Sequence, residues 1–235
     1  MSAKNVEHKF IVPNSVEVRD YQINLANQAK NENCLVILPT GLGKTVVALH
    51  VIADYIAKGN GGVLFLAPTK VLVNQHYEFL KNTLAIDDIV LITGEDLLAK
   101  RKKLWINSII CATPEITRND IARKIVDTNQ FSLIIFDEAH RAVGDYAYVK
   151  IAEQLSGLDI RILGMTATLP SEKEKAKEIC DNLHIKSLAE RNDSSPDVKP
   201  YIQETDTEWI RVDLSPDMKI IQRYIKLALD QRYTE

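Results

Sequence analysis

Apolar residues gather in short, nearly continuous runs along the chain: Cys34–Leu38, Val63–Leu66, Ile89–Ile92, Ser108–Cys111, Leu133–Phe136 and Ile160–Gly164. Continuous rather than alternating, such runs suit parallel strands covered on both faces. Between them the spacing turns helical. Val46, Val47, Leu49, His50 and Ile52 predict a helix that Gly59 stops. Thr113-Pro114 reads as an N-cap with proline in the first turn, and Ser171 with Glu174 as a capping box before Ala176, Ile179 and Leu183. The alternation predicts an α/β fold: a doubly wound, mainly parallel sheet with helices on both faces and ligands at the strand carboxyl ends.

After about His184 the rhythm breaks. Ser187–Pro200 is polar, contains two prolines and reads as a connector; Trp209–Leu214 reads as one more strand. Ser215-Pro216 then opens a helix with Met218, Ile221, Ile225 and Ala228 on one face. The expected organisation is a main domain over 1–186, a connector and edge strand over 187–214, and the start of a further helical region over 215–235. Because the apolar stripe is still running at the last residue, that region reads as interrupted.

Composition narrows the partners. Of 235 residues, 46% are apolar and 26% charged, enough for a sizeable core. With 29 Lys+Arg against 32 Asp+Glu the formal net charge is -3. That argues against a broad basic field as the source of nucleic-acid affinity, while leaving room for a local groove. Cys34, Cys111 and Cys180 are far apart and form no CxxC pair, and the first two lie in apolar runs as core residues do. A reducing cytoplasmic setting follows as the expectation. The opening residues lack the apolar stretch of a signal peptide and no segment reads as long enough to span a membrane, so a soluble protein without a membrane partner is expected.

Two segments carry chemistry. Leu38-Pro39-Thr40-Gly41-Leu42-Gly43-Lys44-Thr45 follows a predicted strand and opens a predicted helix. Glycines there let backbone N–H groups wrap a phosphate chain, and the helix N-terminus adds partial positive charge. Lys44 would bridge the outer phosphates of ATP and the Thr45 hydroxyl would ligate Mg2+. The strict phosphate-loop pattern wants glycine where this chain has Leu38. The second segment, Leu133–His140, delivers Asp137 and Glu138 to the carboxyl end of a buried strand. In a phosphate-loop fold the first acid holds magnesium, usually through water, and the second orients or deprotonates the attacking water. Acids at a strand end are often plain solvated caps, but the two segments together point to a nucleotide hydrolase.

Gly-Leu-Gly-Lys-Thr with Asp-Glu-Ala-His resembles the first RecA-like domain of superfamily 2 helicases, in order along Arg19–Asn182. The resemblance implies a P-loop NTPase driving ATP-dependent work on nucleic acid. Arg19-Asp20-Tyr21-Gln22 resembles the adenine-reading Q motif, in which Gln22 would pair with the base edge. Ala67-Pro68-Thr69-Lys70 with Gln75-His76 resembles motif Ia; Thr93-Gly94-Glu95 and Ala112-Thr113-Pro114-Glu115 resemble the later motifs that grip the nucleic-acid backbone. Hydroxyls and helix N-termini suit such sequence-independent contacts, although each tripeptide alone is a common turn or cap. Thr166-Ala167-Thr168 resembles motif III, which with His140 links the ATP site to the strand-binding site.

Within the superfamily, Asn33–Thr45, DEAHRAVGDYAY over Asp137–Tyr148, and Ser195–Tyr201 are most similar to the Hef/FANCM branch. That likeness implies a helical insertion and a second RecA-like domain after this region, and action on forked or branched DNA in repair or fork processing. It also implies that this stretch alone, without the second domain's arginine finger, hydrolyses ATP barely. A duplex-RNA helicase of the Dicer or RNA-sensor type shares the architecture, and a nucleotide-gated clamp that does not unwind is the reading from another class. A small-molecule kinase fits the Thr69, Thr113 and Thr166 motifs poorly. Lys100-Arg101-Lys102-Lys103 is read as a solvated helix face, and Trp105 and Met165 as core.

Overall fold

Strands form where the apolar runs predict them: β1 (Cys34–Ile37), β2 (Gly62–Leu66), β3 (Ile89–Ile92), β4 (Ile109–Ala112), β5 (Phe131–Asp137) and β6 (Arg161–Thr166). The computed structural model describes residues 5–59, 61–202 and 210–232. A further strand, β7 (Ser187–Glu190), lies in what reads as connector, so the sheet runs past the boundary expected at 186. It pairs in parallel with β1, Cys34 opposite Ser187 and Ile37 opposite Glu190. Only Ala189 of its four residues is buried, which is why a polar edge strand escapes a search for apolar runs. Conversely, no strand forms over the described part of the expected Trp209–Leu214 strand, 210–214; Trp209 lies outside the described residues.

The seven strands order as β3-β4-β2-β5-β6-β1-β7, and every pairing is parallel. The helices are α1 (Asp20–Ala29), α2 (Lys44–Ala57), α3 (Lys70–Thr83), α4 (Leu98–Leu104), α5 (Pro114–Ala122), α6 (Ala147–Gln154), α7 (Lys173–Asn182) and α8 (Pro216–Arg232). Helices α1 to α7 cover both faces of the sheet. Leu64, Leu66, Ile134 and Phe136 share a core with Tyr148 of α6 and Ile179 of α7. Phe65, of opposite parity, stacks on His76 of α3. Parallel strands buried on both sides demand the unbroken apolar runs seen in the sequence.

The chain divides into two units, Met1–Tyr201 and Ile202–Glu235. In the second, the Ser215 hydroxyl accepts from Met218 N–H at 3.3 Å, as expected of a cap before Pro216. In the first, Thr113 caps α5 with Pro114 behind it, whereas α7 begins at Lys173 with Glu172 as its cap. The capping box expected at Ser171 therefore does not form. Trp105 and Met165 are core, as are Cys34 and Cys111.

The run at 100–103 requires a correction. Arg101 is buried, and it chelates the solvent-inaccessible Asp120 through Nε at 2.7 Å and Nη2 at 2.9 Å. Trp105 Nε1 donates to the same carboxylate at 2.9 Å. A one-dimensional charge run hides which member points inward. Burial pushes the Asp120 pKa up, but the hydrogen bonds from Arg101 and Trp105 outweigh it and the net shift is downward. Arg101→Leu strands that carboxylate and is expected to cost about 3 kcal/mol in urea unfolding at pH 7. A carboxyl group depressed in the folded state contributes stability above its unfolded pKa and loses it as pH falls through the folded value. The difference between wild type and variant should therefore shrink as pH falls, first as the stranded Asp120 of the variant, its pKa pushed up by burial, takes up a proton, and last through the depressed folded-state pKa of the wild type. A variant within 1 kcal/mol of wild type at pH 7 would mean the triad is not structural.

Candidate functional site

The loop between β1 and α2 is shaped by two glycines in the left-handed region, Gly41 (φ 86°) and Gly43 (φ 83°). Side chains disfavour that region, so the loop needs these residues. Nothing lies within 4 Å of where a Cβ on Gly41 would sit, leaving room for an anion to approach the backbone. Gly43 caps α2, and the opening N–H groups of a helix have no carbonyl one turn back. Leu42 N–H closes the turn onto Pro39 O at 3.3 Å, and Thr40 stands exposed at the tip. Lys44 Nζ donates to Leu38 O at 3.2 Å across the loop. Phosphate oxygens would offer this ammonium stronger, charge-assisted acceptors than a carbonyl.

The acids arrive from the next part of the sheet. Asp137 closes β5 and is 4% exposed. Its Oδ2 meets His76 Nε2 at 2.8 Å, and the other ring nitrogen, Nδ1, faces Thr45 Oγ1 at 3.4 Å. Thr45 and Asp137 thus flank one imidazole. Two protein oxygens of this kind fit Mg2+, which prefers to keep water and phosphate oxygens in most of its octahedron. The Tyr148 hydroxyl donates to Asp137 O at 2.7 Å, with Leu66 O a second acceptor at 3.3 Å, and so pins the carboxyl ends of β5 and β2. Burial pushes the Tyr148 pKa well up, keeping that donor protonated.

Immediately after Asp137 the backbone turns through Glu138 at φ 52°, ψ 48°. A left-handed non-glycine residue costs on the order of 1 kcal/mol and is commonly held where function requires it. The turn brings Glu138 Oε2 to 3.3 Å from His140 Nδ1. That nitrogen also lies 3.0 Å from Thr166 Oγ1, whose own hydrogen goes to Thr168 O at 2.7 Å. A hydroxyl has one hydrogen, so His140 Nδ1 must be the donor to Thr166. The three residues expected to couple the sites therefore form one chain of contacts ending on Glu138.

At the far side of the loop Gln22 is buried, 2% exposed, and its Nε2 donates to Leu42 O at 3.0 Å. The Tyr21 hydroxyl donates to the same carbonyl at 2.8 Å. A Cβ on Gly43 would run into Gln22 Nε2, which gives that glycine a second reason to be there. Arg19 lies over the ring of Tyr201 at 5.2 Å, and Tyr201 packs against Tyr21 with ring centroids 5.6 Å apart.

The hydroxyl motifs fall at the carboxyl ends of β2, β3 and β4, three consecutive strands of the sheet with β4 between the other two. Thr69 caps α3, its Oγ1 accepting from Leu72 N–H at 3.3 Å, and Lys70 pairs with Glu95. Thr113 caps α5 without a side-chain bond, and Pro114 is buried. Gln75 and Gly94 are exposed. Thr93 is not: it is 7% exposed, its N–H donates to Asp96 Oδ2 at 2.9 Å and its hydroxyl to the same oxygen at 3.5 Å, so both serve the turn as built. The sequence places Gln75-His76 together in motif Ia but gives His76 no role of its own; in the structure it turns inward, to Asp137 and Thr45. The signal was a histidine inside the buried helical stripe Val73, His76, Leu80, Thr83.

A family profile described as DEAD/DEAH box helicase matches residues 19–176. A Methanocaldococcus jannaschii protein provisionally named an ATP-dependent RNA helicase is 40% identical over 97% of this chain and 29% of its own length. The ATP-dependent DNA helicase fml1 of Schizosaccharomyces pombe is 33% identical over 93% of this chain and 27% of its own. Among solved structures, the Pyrococcus furiosus Hef helicase domain superposes with a TM-score of 0.78 at 42% identity, covering 84% of this chain and 43% of that one. The chain spans less than a third of the length of the curated relatives it matches. Among the described residues no helix is long and apolar enough to cross a membrane.

Proposed function

The chain belongs to the DEAD/DEAH box helicase family, on its Hef/FANCM-type branch, and from that premise we propose that it is the ATP-binding half of a motor that remodels forked or branched DNA. One observation carries the reading. The carboxyl ends of a single parallel sheet hold both a candidate nucleotide cluster, after β1, β5 and β6, and a row of threonine-bearing turns (Thr69, Thr113 and Thr93) after β2, β4 and β3. Because β2 and β5 are neighbours, the row borders directly on the strand that ends in Asp137.

In this reading Lys44 and the N–H groups of Gly41 to Thr45, with Pro39, Thr40 and Leu42 shaping the turn, hold the phosphates. Thr45 and Asp137 hold Mg2+, which would polarise the outer phosphate when bound. Glu138 takes the proton of the attacking water. Gln22 reads the adenine edge, which requires its carboxamide to turn from Leu42 O toward the base, while Arg19 borders the base. Thr69, Lys70, Gln75, Thr93, Gly94, Thr113 and Pro114 line the backbone track; Lys70 and Thr93 would have to leave Glu95 and Asp96 to contact phosphate. His140, Thr166 and Thr168 report nucleotide state to that track. The region from α8 onward begins a helical insertion, and a second RecA-like domain of the same protein completes the site.

The relatives' names divide between RNA and DNA, so substrate choice is the part to test. In the full-length protein, forked DNA should stimulate ATP hydrolysis about tenfold more than duplex RNA of equal length, within the usual range of coupling between two sites. Stronger stimulation by the RNA would transfer the motor to that substrate.

A further inference from the structure

His76 has no place in the roles above, although it touches both magnesium ligands. It sits on α3, 9% exposed, with its ring against Phe65 at a centroid distance of 4.5 Å. Its two nitrogens face Asp137 Oδ2 at 2.8 Å and Thr45 Oγ1 at 3.4 Å. An ionised carboxylate only accepts, so Nε2 must carry the hydrogen that lies between it and Asp137. Nδ1 of that tautomer is then an acceptor, and the Thr45 hydroxyl can donate to it. The tautomer is assigned by this network.

This arrangement suits metal binding for a simple reason. A hydroxyl that ligates a cation through a lone pair must point its hydrogen elsewhere, and His76 Nδ1, 3.4 Å from Thr45 Oγ1, would be an acceptor for it. A carboxylate that orders metal-bound water must be held in one rotamer, and His76 Nε2–H holds it. We infer that His76 is a positioning residue of the magnesium pocket, orienting Thr45 and Asp137 together from outside the metal's own coordination shell. This rests on the proposed reading of Thr45 and Asp137 as the metal ligands. Loss of such an outer partner typically weakens metal affinity about 10- to 100-fold.

The test uses the full-length protein and a fluorescent ATP analogue, with nucleotide affinity measured in EDTA and across a Mg2+ titration. His76→Phe keeps a ring against Phe65 and removes both polar contacts. His76→Gln keeps a donor and an acceptor about as far apart as the ring nitrogens. His76→Phe should need about tenfold more Mg2+ to reach half of the metal-dependent gain in affinity, with affinity in EDTA unchanged, and His76→Gln should recover most of the loss. Three results overturn the proposal alone: a wild-type Mg2+ curve for His76→Phe, an equal loss in EDTA, or a His76→Gln variant as weak as His76→Phe. A wild-type protein whose nucleotide affinity ignores Mg2+ overturns the underlying reading of the metal pocket and this proposal with it.

Discussion

Glu138→Gln in the full-length protein is expected to keep ATP bound and to lower turnover about 10³-fold, equivalent to about 4 kcal/mol of barrier. The substitution changes one atom type and little else. A carboxamide occupies the same volume, retains an oxygen to face His140 Nδ1, and leaves the left-handed turn at 138 to the same backbone. It cannot accept a proton from water near neutral pH. In the proposed reading phosphate and magnesium contacts come from Lys44, Thr45 and Asp137, which the substitution leaves untouched, so affinity should stay within about twofold while chemistry stops. Single-turnover hydrolysis and equilibrium ATP binding on the same preparation separate these two effects. Turnover within a few-fold of wild type would remove Glu138 from the base role.

Lys44→Ala is expected to act one step earlier, lowering ATP affinity about 100-fold, the worth of one or two hydrogen bonds made to charged groups. Alanine is the best helix former and Lys44 is the first residue of α2, so the helix should persist and the loss should be of ligand rather than of fold. Strand separation on forked DNA should fall to background. This variant also distinguishes a motor from a clamp. If wild-type protein holds DNA tightly in ATP without separating strands, and Lys44→Ala merely releases it, the protein gates binding and does not translocate.

Much of the fold was legible because its causes are local. Six strands betray themselves as apolar runs since each is covered on both faces, and α2 and α5 announce their starts through Gly43 and Thr113-Pro114. Ser187–Glu190 did not, because an edge strand exposes most of its side chains and reads as polar. Arg101 did not, because a run of four cations carries no mark of which one finds a buried partner; Asp120 lies on a different helix. The candidate site divides in the same way. Each motif was readable from residue type, Gln75-His76 among them, yet the contacts of His76 were not, since its partners Thr45 and Asp137 are 31 and 61 residues away.

By itself, then, the amino-acid order determined the phosphate loop, the acidic strand end and the family, because each motif is spelled out within one short segment: two glycines, a lysine and a threonine over 41–45, and two carboxylates at 137 and 138. The tertiary structure alone decided that β5 lies between β2 and β6, bringing α3's histidine onto Asp137 and Thr166 onto His140. Neighbouring strands are chosen by long-range burial and crossover geometry, and the period of side chains along a strand holds no record of which strand will pair beside it.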